Sequence, residues 1–168
     1  MIIAKTPRLL IRTLDLDDLE LLGTIFSDEV VMEYSSTGPL SKEKMQTWLN
    51  ETIAEYQHPG FSVWGVVLRD EDRLIGICGI RPVELDGRTE IELIFRFAQE
   101  YWGQGYATEA CRGVIEYAFN TLAINEIIAV VASGNRRSVR VVEKLDMAYE
   151  KDSIYKGYSV RVYRLNKF

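Results

Sequence analysis

Apolar and polar positions change period several times along the chain, and each change predicts an element. "RLLIR" (8–12) is a short run of strand type; Asp15 then stands where a helix cap is wanted, with Asp17 and Asp18 in the first turn. Leu19, Leu22 and Phe26 follow at helical spacing. Ser41 caps a second predicted helix, whose Met45, Trp48, Leu49, Ile53 and Tyr56 form one apolar stripe, and His58-Pro59-Gly60 ends it. From there the period shortens. "FSVWGVVLR" (61–69), "LIGICGIRPVEL" (74–85) and "TEIELIFRF" (89–97) read as strands, joined by "DEDR" and by the hairpin signal Asp86-Gly87, which predicts an antiparallel meander.

A helix follows with Ala107, Ala110, Cys111, Val114, Ala118 and Leu122 on one face. "INEIIAVVA" (124–132) is nearly unbroken in its apolar character, as expected of a strand buried on both faces. Asn135 to Leu145 reads as a short helix, and two strands around Gly157 close the pattern. The order β-α-α-β-β-β-α-β-α-β-β predicts an α/β (α+β) sandwich: a mixed, mostly antiparallel central sheet of about seven strands with helices on both faces. No repeat or linker interrupts it, so a single domain over 1–168 is expected.

Composition narrows the functions. Apolar residues make up 47 % of the 168 positions and charged residues 27 %, the balance of an ordered globular chain. A net charge of −5 sets the overall field against polyanions, so neither nucleic acid nor an anionic membrane is an expected partner, and a cationic substrate suits the field better. No apolar stretch has bilayer length, and "MIIAKTPRLLIRTLDLDD" turns acidic too early for a secretion signal; a cytoplasmic protein is expected. Cys78 and Cys111 are expected to be buried and reduced, and without nearby histidines they furnish no metal site. The lone His58, beside a helix breaker, is expected in a surface loop, which disfavours a histidine-activated nucleophile.

The stretch "EYWGQGYATEA" (100–110) carries the chemistry. Gly103 and Gly105 allow a sharp bend and close approach of a ligand, and the helix that starts there leaves its first amides without intrahelical partners. Such a turn suits a phosphate or pyrophosphate. It is no Walker loop, because Gly-Lys followed by Ser or Thr is missing; nor is it the dinucleotide fingerprint, because Thr108 stands where a third glycine is needed.

Together, "EIELIFRFAQEYWGQGYATEA" and the later "NRRSVRVVEKL" resemble the GNAT family of acetyl-CoA-dependent N-acetyltransferases, in particular its RimJ/RimL-like branch, which acetylates N-termini of ribosomal proteins. The likeness extends over nearly the whole chain, including "TPRLLIRTLDLDD". It implies acetyl-CoA as cosubstrate, its pyrophosphate held by the main-chain amides of Gln104, Gly105, Ala107 and Thr108. Leu93, Ile94 and Phe95 would pair with the pantetheine amides. Asn135 matches the family's asparagine on the pantetheine arm; on local grounds it is equally a helix cap. Trp102 stands where the wider family has Arg or Gln, and is expected to pack the turn. One of Arg136, Arg137 and Arg140 is a candidate for the 3′-phosphate of coenzyme A, against a solvated helix face. Asp146 replaces the family's usual glycine after this helix and is expected to take the left-handed conformation.

For catalysis, the resemblance implies Glu92 as general base, with Glu90, two residues earlier on the same strand face, in reserve. The tyrosine that serves many family members as general acid is Val142 here, and Ser138 matches the branch's serine near the sulfur. At pH 7 roughly one α-amine in ten is neutral, against fewer than about one lysine in a thousand, so a weak base suffices for an N-terminus. The acceptor stays open between a protein or peptide α-amine and a small amine such as an antibiotic, polyamine or amino acid; a non-catalytic acyl-CoA sensor is the reading outside enzymes. Residues 28–60 are expected to shape the acceptor site, with Met32, Tyr34 and Trp64 as candidate lining and core packing as the alternative for Trp64. A monomer or homodimer is expected.

Overall fold

All seven residues of the strand Ser62–Leu68 are buried, which requires that both faces of its sheet be covered. The computed structural model, which describes residues 1–168, shows how. In chain order the elements are β1 (Ile2–Lys5), β2 (Leu9–Arg12), α1 (Leu19–Ser27), α2 (Lys42–Glu55), β3 (Ser62–Leu68), β4 (Arg73–Leu85), β5 (Arg88–Phe97), α3 (Tyr106–Asn120), β6 (Glu126–Ala132), α4 (Arg136–Lys144), β7 (Ala148–Tyr155) and β8 (Tyr158–Asn166). The strands form one sheet in the order β1-β2-β3-β4-β5-β6-β8-β7. Every neighbouring pair is antiparallel except β5 and β6. This is the mixed sheet expected, with eight strands instead of about seven. The extra one, β1, is a four-residue edge strand in which Ile3 alone is buried, too short to show a period.

Side-chain alternation divides the interior in two. Trp64, Val66 and Leu68 of β3 join α3 and Val142 of α4 in one cluster, while Val63 and Val67 join α1 and α2 in the other. Local signals set the helix starts. Asp15 accepts from the Asp17 amide and forms a reciprocal capping box with Asp18, capping the short 3-10 turn Leu16–Asp18 that leads into α1. Ser41 accepts from the Lys44 amide at the start of α2. Asp146, after α4, sits at φ 60°, the left-handed conformation its side chain tolerates. No helix is long and apolar enough to cross a membrane.

The feature that positions the site is the junction of β5 with β6. β5 follows β4 in unbroken register from Arg88 to Phe97, and β6 follows β8 from Glu126 to Ala132. Between them the register holds one pair, Glu92 with Ile128. Beyond it the strands diverge, and their facing edges have no strand partner.

On the opposite side of β4, the Tyr56 hydroxyl ties α2 to the sheet. It accepts from the Leu14 amide at 3.1 Å and donates to the Val63 carbonyl at 2.5 Å. Burial pushes its pKa up to about 12, so it stays a donor across the physiological range. Tyr56→Phe leaves both backbone groups without this partner. It should lower stability by about 1–3 kcal/mol, read as a reduced midpoint in urea unfolding.

Candidate active site

A cavity of about 900 Å³ opens where β5 and β6 part. At one end lies the turn into α3. Gly103 (φ 72°) and Gly105 (φ 82°) both adopt the left-handed region, and Gly105 caps α3 with no side-chain hydrogen bond. The amides of Gly103, Gln104, Gly105, Tyr106, Ala107 and Thr108 find no acceptor within the protein. Six consecutive free donors at a helix start form a cradle for an anion.

The outer side of this turn is braced. Arg8 donates from Nη1 to the Gln104 carbonyl at 3.0 Å, lies over the Tyr106 ring at 4.3 Å, and pairs through Nε with Glu109 at 2.7 Å. Glu109 also accepts from the Thr6 hydroxyl (2.6 Å) and the Arg8 amide (2.9 Å). Partial burial raises its pKa, but these donors outweigh it and hold the carboxyl below its usual range. Trp102 packs the turn as expected, donating from its indole to the Phe97 carbonyl at 2.9 Å. Arg137 of α4 stacks on that indole, 3.8 Å from the ring centre. Arg137 and Arg140 reach the cavity wall and Arg136 does not. Gln104 also stays off the wall, its side chain turned back to the Glu100 carbonyl.

The predicted catalytic and pantetheine-contacting residues converge on the same cavity. Glu92, Leu93, Ile94 and Phe95 line it from β5, and Asn135 and Ser138 from the start of α4. Glu92 is 5 % exposed; burial raises its carboxyl pKa, opposed by Arg81, whose Nε lies 3.3 Å away, and by Lys156. Asn135 accepts from the Ser138 amide at 3.2 Å, the helix-cap role. The Ser138 hydroxyl has no partner in the protein. Val142 is fully buried in the core, so no hydroxyl takes the usual tyrosine's place.

Glu90, expected in reserve as the base, does not reach the cavity. It is off the cavity wall, bound by both terminal nitrogens of Arg164 at 2.9 and 3.1 Å, and Arg164 also holds Glu126 and Glu150. That hydrogen bonding lowers its pKa, leaving a poor base. Residues 28–60 do line the far side, through Val31, Trp48 and the loop from Glu33 to Ser36. Tyr34 is among these, its hydroxyl donating to the Gly134 carbonyl at 3.1 Å. Met32, by contrast, is buried among α1 and α2, and Trp64 packs edge-on against Tyr117 in the core. Cys78 and Cys111 are buried, their sulfurs 3.7 Å apart, and His58 is exposed, all outside the cavity.

Sequence reasoning missed Arg81, Arg96, Tyr155, Lys156 and Tyr158, all on the cavity wall. Arg81 and Arg96 lie in strands whose alternation showed that they share a face with Glu92, but not that the face is the cavity's. The other three come from the β7–β8 turn, brought in only by the sheet order.

A split sheet with an anion cradle at its mouth, a buried carboxylate and a free hydroxyl within fits a thioester cosubstrate with a diphosphate. A family model described as "Acetyltransferase (GNAT) domain" matches residues 8–148, and the chain belongs to that family. It is an acetyl-CoA-dependent acetyltransferase. Protein YkkB of Bacillus subtilis (strain 168) is 35 % identical over 147 residues, covering 87 % of this chain and 85 % of YkkB. The crystal structure of a GNAT-family acetyltransferase from Bacillus anthracis superposes with a TM-score of 0.85 at 26 % identity, covering 99 % and 98 % of the two chains. RimL, a ribosomal L7/L12 alpha-N-protein acetyltransferase solved with coenzyme A, shares the fold with a TM-score of 0.82 at 14 % identity, covering 99 % and 98 %.

The brace on the turn makes a pH-dependent contribution. Because the folded pKa of Glu109 is lowered, its stabilisation is present above the unfolded value of about 4.3 and is lost as pH falls through the folded value. Glu109→Gln should cost about 1 kcal/mol near neutrality. In thermal melts the gap from wild type should close as the pH falls below the usual carboxylate range.

Proposed function

We propose that this acetyltransferase moves acetyl from acetyl-CoA to the α-amine of a protein or peptide N-terminus, by direct attack of the amine on the thioester. The main-chain amides of Gln104, Gly105, Ala107 and Thr108 hold the diphosphate. The unpaired edge of β5 at Leu93, Ile94 and Phe95 hydrogen-bonds the pantetheine arm, with Asn135 facing it. Glu92 takes the proton the amine releases, directly or through a water, and the Ser138 hydroxyl donates to the departing thiolate.

The observation that carries this reading is the pairing of a buried carboxylate whose pKa is raised with a hydroxyl free of other partners, on the walls of one cavity. The other candidates fit less well: Glu90 is bound to Arg164, Glu33 is an exposed loop carboxylate, and the one histidine is exposed elsewhere. One weak base suits an α-amine, already about one-tenth neutral at pH 7, better than a lysine. The fold shared with RimL and the motifs "EYWGQGYATEA" and "NRRS" support the same branch.

A panel of N-terminal peptides and small amines, assayed by free-thiol release, tests the acceptor; release with small amines alone would overturn the N-terminal assignment. Glu92→Gln should lower kcat about 100-fold or more. In the wild type, kcat should rise with pH across a limb above the usual carboxylate range, because Glu92 must lose its proton to act, and Glu92→Gln should abolish that limb. Ser138→Ala should cost roughly tenfold in kcat with acetyl-CoA affinity retained. Unchanged turnover in both variants would remove these two residues from the chemistry.

A further inference from the structure

Arg96 is the charged side chain that neither the packing nor the catalytic assignment explains. In β5 it stands opposite Ile77 of β4, on the face that also carries Glu92 and Ile94 and is covered by α1 and α2. Its guanidinium lies 5.2 Å from the Phe26 ring centre, and Phe26 in turn packs on Trp48 at 5.3 Å. All three residues line the cavity.

Other arginines that are half-buried or anchor the fold have carboxylate partners: Arg12 with Asp18, Arg164 with Glu90, Arg8 with Glu109. Arg96 makes neither a hydrogen bond nor an ion pair. Its burial, with repulsion from Arg81, draws its pKa down to about 10, so it remains charged at neutral pH. A half-buried guanidinium on a cavity wall with no protein acceptor keeps its donors available to an anion that enters the cavity. Arg81 engages Glu92 through Nε, and its two terminal nitrogens have no protein acceptor. Lys156 adds a third cation to this part of the wall.

Of the two carboxylates on the cavity wall, Glu92 shares the sheet face of Arg81 and Arg96 and engages Arg81, and Glu33 belongs to the exposed loop after α1. The wall as a whole carries six cationic side chains, Arg81, Arg96 and Lys156 with Arg137, Arg140 and Lys144, against those two carboxylates, although the whole chain carries −5. The chain's net charge therefore misleads about the cavity, where Arg96 stands without a carboxylate partner and suits an anionic group.

We infer that Arg96, with Arg81 beside it, forms a carboxylate-binding subsite, so that the acceptor is an amine whose molecule also carries a carboxylate. The planar fork of Arg96, backed by Phe26, offers two parallel donors of the kind that bind a carboxylate in bidentate fashion. That carboxylate is supplied either by an acidic residue next to a peptide N-terminus or by the α-carboxyl of a free amino acid. The inference rests on the acetyltransferase reading of the cavity for the amine, and on the unpaired guanidinium for the anion.

The test uses matched acceptors in the full-length protein: peptides that differ only in glutamate against glutamine after the N-terminal serine, and free alanine against alaninamide. Wild-type protein should prefer the acid over the amide in kcat/KM by about tenfold or more in one of the two pairs, which also identifies the source of the carboxylate. Arg96→Gln should collapse that ratio towards one, and Arg96→Lys should restore part of it. The ratio is internal to each variant, so partial misfolding does not imitate the effect. Calorimetric titration of the same compounds into the coenzyme A-loaded protein reads the subsite without turnover. Tighter binding of the acid without thiol release from any acceptor would support the subsite and defeat the catalytic reading. Thiol release with equal use of acid and amide, or a ratio that Arg96→Gln leaves unchanged, would overturn the subsite and leave the enzyme standing.

Discussion

β5 and β6 are held by different neighbours: β5 by β4 along its whole length, and β6 by β8. They share one registered pair, Glu92 with Ile128, and then separate. Each strand keeps its hydrogen bonds on the outer side and gives up those on the inner side, leaving two unpaired main-chain edges facing a cavity inside the sheet. Unpaired edges in a protein interior are unfavourable unless something else bonds to them. A long, amide-bearing cosubstrate such as acetyl-CoA carries groups able to bond to such edges, and the binding mode proposed above rests on that match.

The divergence also divides the labour of the two faces. The α3/α4 side provides the anion cradle, braced from outside by Arg8 and Glu109 and roofed by the stack of Arg137 on Trp102. The α1/α2 side provides the part of the cavity proposed for the acceptor, with Glu92, Arg81 and Arg96 on the sheet wall and Phe26, Val31 and Trp48 also lining it. Because the strands part at Glu92, the buried carboxylate sits at the vertex where the two halves meet. A carboxylate at that point is desolvated, which raises its pKa and suits it to the role of base proposed for it.

Much of this was legible along the chain. Asp15, Ser41 and Asn135 cap helical turns as their sequence positions imply, the Asp86-Gly87 turn joins β4 to β5, and Asp146 adopts the left-handed conformation. The turn at Gly103–Gly105 presents its amides as the glycines suggested. The cavity gathers Glu92, Ser138 and the β5 segment as the two motifs together implied. Asn135 shows how one residue satisfies both readings given to it: its side chain caps α4 while it lines the cavity wall.

What the sequence by itself determined were features that complete themselves within a few residues: strand and helix periods, caps, and a glycine turn. Their hydrogen-bond partners lie one turn or one hairpin away, so local residue type is enough to specify them. The tertiary structure alone decided which charges meet. Glu90 is captured by Arg164 across 74 positions, Met32 turns into the core while Tyr34 reaches the Gly134 carbonyl, and Arg96 is left facing a cavity with no carboxylate to pair with. Those outcomes depend on which strands lie side by side and in what register, and a register between distant segments is set by the packing of the whole sheet, not by any short stretch of it.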